Sequence, residues 1–156
     1  AGSLLDIGIY NLGFVHMVMD AAPVRMCSNM QKNEFGTDDF SAVLLEYPGG
    51  KSATIITAFG MDIPRKAVVF GSEGDITFPD FQLAERMTVR RYNGETREVE
   101  VPFGYNGFEY QIREVNRCVK LGMNTSDILR EFDSLTVMEI MDSLRASWGI
   151  RFEGEE

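Results

Sequence analysis

The hydrophobic period of this sequence changes twice along the chain. In residues 4–19 the apolar side chains recur mostly at three- and four-residue steps, which predicts a helix. In residues 24–101 the period is two, and runs of β-branched and aromatic residues alternate with turn residues. That pattern predicts about six antiparallel strands, with Asn93-Gly94 as a hairpin turn. The helical period returns in residues 108–121 and again from about Asp133 to Trp148.

The order of these elements indicates the fold class. One helix, a run of strands and two further helices predict an α+β domain, with an open, mainly antiparallel sheet and helices packed on one face. Ser3 is placed to cap the first helix, and Gly122 and Gly149 are placed to end the later two. At 156 residues the chain has the length of an ordinary domain, so we expect residues 1–156 to form one domain.

The strands are apolar in both alternation phases. In residues 42–45 (AVLL) and 54–58 (TIITA), hydrophobic side chains fall on both faces, whereas a solvated face should carry polar residues. We therefore predict that the second sheet face is buried against another subunit or domain. A homo-oligomer that associates through the open sheet face is the expected arrangement.

Charge and hydropathy argue against nucleic acid and membranes as partners. The net charge of −9 disfavours a phosphate backbone, which needs a basic surface. Asp6, Asn11 and His16 interrupt the longest apolar stretch, which is too polar and too short for a membrane span and lacks the features of a secretory signal. These observations predict a cytoplasmic protein.

Several standard catalytic motifs are absent from the sequence, which contains no G-x-G-x-x-G after a strand, no Walker loop, no H-E-x-x-H and no G-x-S-x-G. The two cysteines, Cys27 and Cys118, are far apart and are expected to be buried, reduced thiols, so no zinc site is predicted. With a single histidine, no histidine-based metal site is predicted either, and His16 is expected to be a packing residue.

Asp6 and Tyr10 are the candidate catalytic pair. Their i, i+4 spacing places a carboxylate and a phenol on one helix face, within reach of one bound molecule. The phenol can exchange a proton with a substrate oxygen, and the carboxylate can hold a substrate hydroxyl. Gly8 between them lets a ligand or backbone come close. Spacing alone also allows a structural interpretation, with Asp6 favoured by the helix dipole and Tyr10 a half-buried aromatic residue.

Four stretches in register resemble the glucose-fructose oxidoreductase / inositol dehydrogenase family, often called Gfo/Idh/MocA, and span nearly the whole chain. They are residues 2–10 (GSLLDIGIY), 70–79 (FGSEGDITFP), 107–115 (GFEYQIREV), and 133–149 at Asp133-Ser134-Leu135 and from Met138 to Gly149. The resemblance is to the family's C-terminal domain, so residues 1–156 are expected to be a substrate-binding and dimerisation domain.

The resemblance implies an activity and a division of labour. In that family an N-terminal Rossmann domain binds NAD or NADP, and its Lys-Pro motif supplies a lysine to the active site. The family's aspartate and aromatic residue match Asp6 and Tyr10, and a tyrosine there resembles the glucose-fructose oxidoreductase and dihydrodiol dehydrogenase branch. The Gly-rich turn and the Lys-Pro element are not in this sequence. We therefore expect that the nucleotide-binding half is absent, and that the isolated chain is inactive.

The loop before the second predicted helix leads into a helix whose start faces the active-site cleft in members of this family. The resemblance therefore implies that Tyr105, Asn106 and Phe108 line the substrate pocket. The same residues can also be explained structurally, as a turn with a helix N-cap and a core aromatic residue.

The predicted function is NAD(P)-dependent oxidation or reduction of a CH–OH group on a sugar, polyol or diol. One alternative is a non-enzymatic, self-associating sheet domain that binds a partner or a sugar. Another is a standalone binding protein descended from the enzyme. A Rossmann fold encoded directly upstream in the same reading frame would favour the enzyme.

Overall fold

The computed structural model describes residues 2–152 and 154. The chain forms two compact units, one of residues 1–63 with 127–156 and the other of residues 64–126. In chain order, the strands are β1 Arg25–Lys32, β2 Asp38–Tyr47, β3 Lys51–Ala58, β4 Ala67–Phe70, β5 Gly74–Phe78, β6 Arg86–Arg91 and β7 Thr96–Glu100, and the α-helices are α1 Ile9–Met19, α2 Phe108–Leu121 and α3 Glu131–Ser147. A π-helical turn, Leu4–Gly8, runs directly into α1, and we call the two together the opening helix.

The first unit is a three-stranded antiparallel sheet, ordered β1-β2-β3, with the opening helix and α3 on one face. Alternate side chains of β2 and β3 point into a core that both helices share. The buried apolar residues of this core are Leu4, Leu12, Val43, Leu45, Tyr47, Ile55, Val137, Ile140, Met141 and Leu144. One face of each helix thus packs against the sheet, and the opening helix contacts β3.

The second unit contains a four-stranded antiparallel meander, ordered β4-β5-β6-β7, and helix α2. An ion pair joins neighbouring strands of the meander, since Arg90 donates to the buried Asp75 carboxylate at 2.6 and 2.8 Å. Helix α2 has no buried residue, and its apolar face of Phe108, Ile112, Val115 and Val119 is exposed.

The α+β class, the three helices and the antiparallel pairing agree with the sequence-based predictions. Gly94 and Gly122 have positive φ angles of 97° and 66° at the predicted hairpin turn and helix end. The strands, however, form two sheets where the sequence predicted one of about six strands. The prediction that helices cover one sheet face is met by the opening helix and α3, whereas α2 leaves its apolar face uncovered.

Two local predictions were wrong. Ser3 does not cap the helix through its own hydroxyl, because that residue already has helical dihedrals and its hydroxyl donates to Asp38 instead. Cys27 is exposed on β1 rather than buried, because its side chain points away from the helices.

Across the described residues, no helix combines the length and apolarity needed to cross a bilayer.

Candidate active site

The opening helix presents both predicted catalytic side chains to solvent. Asp6 is exposed in the π-helical turn, and Tyr10 is 58% exposed in the first turn of α1. Single π-helical turns are frequent at functional sites because they rotate the side chains that follow relative to a regular α-helix. Both groups are therefore free to meet a bound molecule, as their predicted role requires, rather than lying beneath the strands.

A buried carboxylate holds the start of this helix. The first N–H groups of a helix have no partner within the helix. Here the backbone N–H of Leu4 donates to Asp38 Oδ2 at 2.6 Å, and Ser3 Oγ donates to the same oxygen at 2.8 Å. Asp38 begins β2 and is 2% exposed, so the negative charge lies inside the unit at the positive end of the helix dipole.

A row of hydroxyl groups continues from this carboxylate across the sheet. Thr57 Oγ1 lies 2.9 Å from Ser3 Oγ and 2.8 Å from Ser41 Oγ, and all three side chains are buried. Ser41 and Thr57 are direct neighbours across β2 and β3. The opening helix is therefore tied to two strands by hydrogen bonds as well as by apolar packing.

Gly8 marks a close approach within the protein, which is one of the two roles predicted for it. A Cβ at Gly8 would lie 3.0 Å from Leu4 Cδ1 and 3.3 Å from Thr57 Cγ2, and the residue is buried. The close approach is thus between the opening helix and β3.

The far end of the opening helix is joined to α3 by charged groups. His16 Nε2 donates to Asp133 Oδ1 at 2.9 Å, and Arg130 donates to both Asp133 and Asp20. The Arg130 guanidinium, and after it the His16 ring, lowers the pKa of the Asp133 carboxyl well below its usual range. The side-chain hydrogen bonds to Asp133 and Asp20 raise the pKa of Arg130. His16 is buried, as predicted, but of its two ring nitrogens only Nε2 is paired.

A cavity of about 640 Å³ lies beside these charged groups. It is lined by α1 on one side and by residues 127–138 on the other, with His16, Arg130 and Asp133 among its polar groups. Within the part of the chain that the structure describes, no three His, Cys, Asp or Glu side chains form a group that could hold a metal ion.

The predicted pocket residues Tyr105, Asn106 and Phe108 lie in the second unit and are exposed. Asn106 Oδ1 accepts from the Phe108 N–H at 3.1 Å, and Glu109 accepts from the N–H groups of Tyr105 and Asn106 at 2.8 and 3.2 Å. Desolvation raises the pKa of Glu109, but hydrogen bonds from its own backbone N–H and from those of Asn106, Tyr105 and Gly107 together outweigh it, so the pKa is lowered. The loop therefore caps α2, while Phe108 is not the core residue of the structural alternative.

Sequence reasoning missed the polar residues that support the opening helix. Asp38, Thr57 and Asp133 lie 34, 54 and 117 positions along the chain from their partners Leu4, Ser3 and His16. For Thr57 the sequence did carry a signal, because this residue falls on the inward-facing alternation phase of an apolar strand and a buried hydroxyl needs a partner. No local pattern marks Asp38, which follows a turn and resembles a solvated loop residue.

The fold and the exposed pair define a class of domain, namely a helix with a carboxylate and a phenol fixed on an antiparallel sheet. Residues 1–77, which contain the opening helix and the whole three-stranded sheet, match the family model described as the GFO/IDH/MocA C-terminal domain. For these residues, the match confirms the resemblance to the Gfo/Idh/MocA family that the sequence indicated.

Curated relatives are similar to this chain over nearly all of its length. Trans-1,2-dihydrobenzene-1,2-diol dehydrogenase of Mus musculus is 29% identical over 160 residues, covering 97% of this chain and 47% of the mouse protein. The protein of the same name from Danio rerio is 30% identical over 158 residues, covering 96% and 47%. The chain thus spans about half the length of these relatives.

Solved structures of the same fold are more distant in sequence. UDP-N-acetylglucosamine 3-dehydrogenase GnnA from Acidithiobacillus ferrooxidans gives a TM-score of 0.79 at 12% identity, covering 93% of this chain and 46% of that one. KijD10, a 3-ketoreductase from Actinomadura kijaniata in complex with TDP-benzene and NADP, gives a TM-score of 0.75 at 18% identity, covering 92% of this chain and 46% of that one. At these identities the likeness concerns the fold alone.

Proposed function

We propose that this chain is the substrate-side domain of an NAD(P)-dependent oxidoreductase that acts on a CH–OH group of a diol, polyol or sugar. The observation that carries the proposal is the exposed Asp6 and Tyr10 pair on a helix whose start is fixed by the buried Asp38. A catalytic carboxylate and phenol must face the substrate and keep their positions, and the anchored helix supports both requirements.

The chemistry assigned to this chain is proton exchange and orientation. A nicotinamide, when bound, supplies the hydride acceptor or donor for the carbinol carbon. Tyr10 Oη exchanges the proton of the reacting hydroxyl, accepting it as a phenolate in oxidation and donating it as a phenol in reduction. Asp6 accepts a hydrogen bond from the substrate hydroxyl and so orients it.

The part of the protein that binds the nicotinamide lies, in this proposal, outside residues 1–156. The described residues offer an exposed catalytic pair but no G-x-G-x-x-G turn between a strand and a helix, the motif that binds the pyrophosphate in Rossmann-type dinucleotide sites. We therefore propose that the 156-residue chain alone has no turnover and that activity belongs to the full-length protein.

A vicinal diol is the substrate class to test first. The curated relatives are named for trans-1,2-dihydrobenzene-1,2-diol, and one similar structure is named for a nucleotide sugar. A ring carbinol is common to both names. The exposed side chains of Tyr105, Asn106 and Phe108 are proposed to line the substrate pocket, where aromatic faces can stack on such a ring.

The experiment is a turnover assay of the full-length protein with trans-1,2-dihydrobenzene-1,2-diol and either NAD or NADP, followed by absorbance of the reduced nicotinamide. Tyr10→Phe removes the proton-exchanging hydroxyl and should lower kcat by about two to four orders of magnitude. Tyr92→Phe is the matched control, because Tyr92 is 59% exposed on β6's hairpin and Tyr10 is 58% exposed. Unchanged kcat in Tyr10→Phe would remove Tyr10 from the chemistry.

The alternative function is a non-enzymatic, self-associating sheet domain. The observation in its favour is the face of the three-stranded sheet opposite the helices, where Leu44 and Ile56 are exposed. Binding of the diol without any nicotinamide-dependent turnover in the full-length protein would favour this alternative. Self-association is common to the enzyme and to this alternative, since we also propose that the enzyme is a homo-oligomer associated through that face.

A further inference from the structure

We propose that Asp38 is a positioning residue for this reaction, acting through the helix that carries Asp6 and Tyr10. The inference rests on the proposed function and deepens it. Asp38 touches neither of the two exposed side chains in the described structure, and its contacts are with the start of the opening helix. Its effect on turnover is therefore exerted through where that helix holds Tyr10.

A single oxygen atom of Asp38 makes the connection. Asp38 Oδ2 accepts both the Leu4 N–H and the Ser3 Oγ–H, at 2.6 and 2.8 Å. Hydrogen bonds to an ionised acceptor are shorter and about twice as strong as those between neutral groups. Two such bonds to one buried oxygen fix both the height of the helix above the sheet and its rotation about its own axis.

The other oxygen of Asp38, Oδ1, is held by close packing against Gly2. A Cβ at Gly2 would lie only 1.8 Å from Asp38 Oδ1, so the carboxylate occupies the space that a side chain at Gly2 would need. Both Gly2 and Asp38 are buried. The carboxylate is thus enclosed by backbone on one side and by its hydrogen-bond donors on the other, and it has little freedom to shift.

The strands supply the rigid base for this contact. Asp38 is the first residue of β2, which is the central strand of its sheet and pairs on both sides. The hydroxyl of Ser41 is bonded to that of Thr57 across this strand pair, and Thr57 is bonded in turn to Ser3, the residue that donates to Asp38. Displacement of the helix start therefore requires several buried polar groups to lose their partners together, which is costly.

Loss of the hydrogen bonds to Asp38 should displace Tyr10, because Tyr10 lies less than two helical turns after Leu4. A misplacement of about 1 Å at a reacting group can lower the rate about 100-fold. In the full-length protein we expect Asp38→Ala to lower kcat by about 10- to 100-fold, with the KM for the nicotinamide changed less than about twofold. Asp38→Asn keeps one carbonyl oxygen that can accept both bonds, so it should stay within about fivefold of the wild type.

The decisive test is a double-mutant cycle in the full-length protein, with kcat measured for wild type, Asp38→Ala, Tyr10→Phe and the double variant. If Asp38 acts through Tyr10, adding Asp38→Ala to Tyr10→Phe should lower kcat by no more than about threefold. If Asp38→Ala lowers kcat by the same factor in wild type and in Tyr10→Phe, or if a folded Asp38→Ala variant keeps the wild-type kcat, Asp38 has no positioning role. Unchanged kcat in Tyr10→Phe would instead defeat the proposed function, so the two failures are distinguishable.

A purely structural role for Asp38 predicts a different pattern. In that case Asp38→Ala and Asp38→Asn would lose activity only in proportion to the fraction of unfolded protein, which circular dichroism of the same samples measures. If Asp38→Ala does not fold, Ser3→Ala takes its place in the cycle, because it removes one of the two donors and leaves the Leu4 N–H bond. Its smaller loss of kcat, about three- to tenfold, must again disappear in the Tyr10→Phe background.

Discussion

At the level of single residues, Gly2 has a packing role that its position near the start of the sequence does not suggest. A Cβ there would meet the Asp38 carboxylate at 1.8 Å and the Asp38 backbone nitrogen at 3.0 Å. The carboxylate is held in place by Leu4 and Ser3, so it cannot move aside without losing its hydrogen bonds. Only glycine fits at this point in the first unit.

We predict that Gly2→Ala lowers the free energy of unfolding by about 1–3 kcal/mol, because an overpacked methyl group forces the backbone or the carboxylate to shift. Gly13→Ala is the control, since a Cβ at Gly13 meets nothing within 4 Å in the middle of α1. There alanine should raise the free energy of unfolding by about 0.5–1 kcal/mol. Urea unfolding followed by the fluorescence of Trp148, the only tryptophan, reports on this unit. Equal effects of the two substitutions would contradict the packing argument.

At the level of elements, the link between the opening helix and α3 depends on ionised Asp133. The pKa of this carboxyl is lowered in the folded chain by Arg130 first and His16 second. A group with a lowered pKa contributes stability above its unfolded-state pKa, and that contribution is lost as the pH falls through the folded-state value. The ordinary value for an aspartate is 3.8, so the contribution is complete at neutral pH and declines below about pH 4.

We therefore predict that Asp133→Asn lowers the urea midpoint of the Trp148 fluorescence transition at pH 7, and that its difference from the wild type shrinks as the pH falls below about 4. Glu139→Gln is the control, because Glu139 is an exposed carboxylate on the same helix. Its effect on the midpoint should be small at every pH. If the midpoint difference between Asp133→Asn and the wild type grew as the pH fell, ionised Asp133 would not be the source of this stability.

The elements also show what could be predicted from the sequence. Helix and strand positions follow from period and end signals, as at Gly122, because those signals are local. The division of strands between two sheets does not, because strand pairing depends on contacts that no short segment encodes. For the candidate site, the exposed face with Asp6 and Tyr10 was predicted from spacing and family resemblance. The support from Asp38 was not, because its partner Leu4 is 34 positions away.

At the level of the whole molecule, no helix or strand that the structure describes in the first unit covers the open side of the three-stranded sheet. This outer face is made by the side chains that alternate with the core residues, in the cross-strand rows Cys27–Leu44–Thr54 and Asn29–Ala42–Ile56. Its centre combines apolar side chains with uncharged polar ones. A face that lacks charge at its centre is typical of protein–protein interfaces, where charged residues are depleted.

We predict that the full-length protein is a homo-oligomer and that Ile56→Asp shifts it toward the monomer, because a carboxylate would be buried without a partner at the centre of the interface. Ile56 is 45% exposed in the chain and belongs to one of the two central rows of the outer face. Phe35→Ser is the control, because Phe35 is 82% exposed in the loop between β1 and β2, so its replacement should leave the mass unchanged. Sedimentation equilibrium of the three proteins measures the result, and an Ile56→Asp variant with the wild-type mass would exclude this face as the interface.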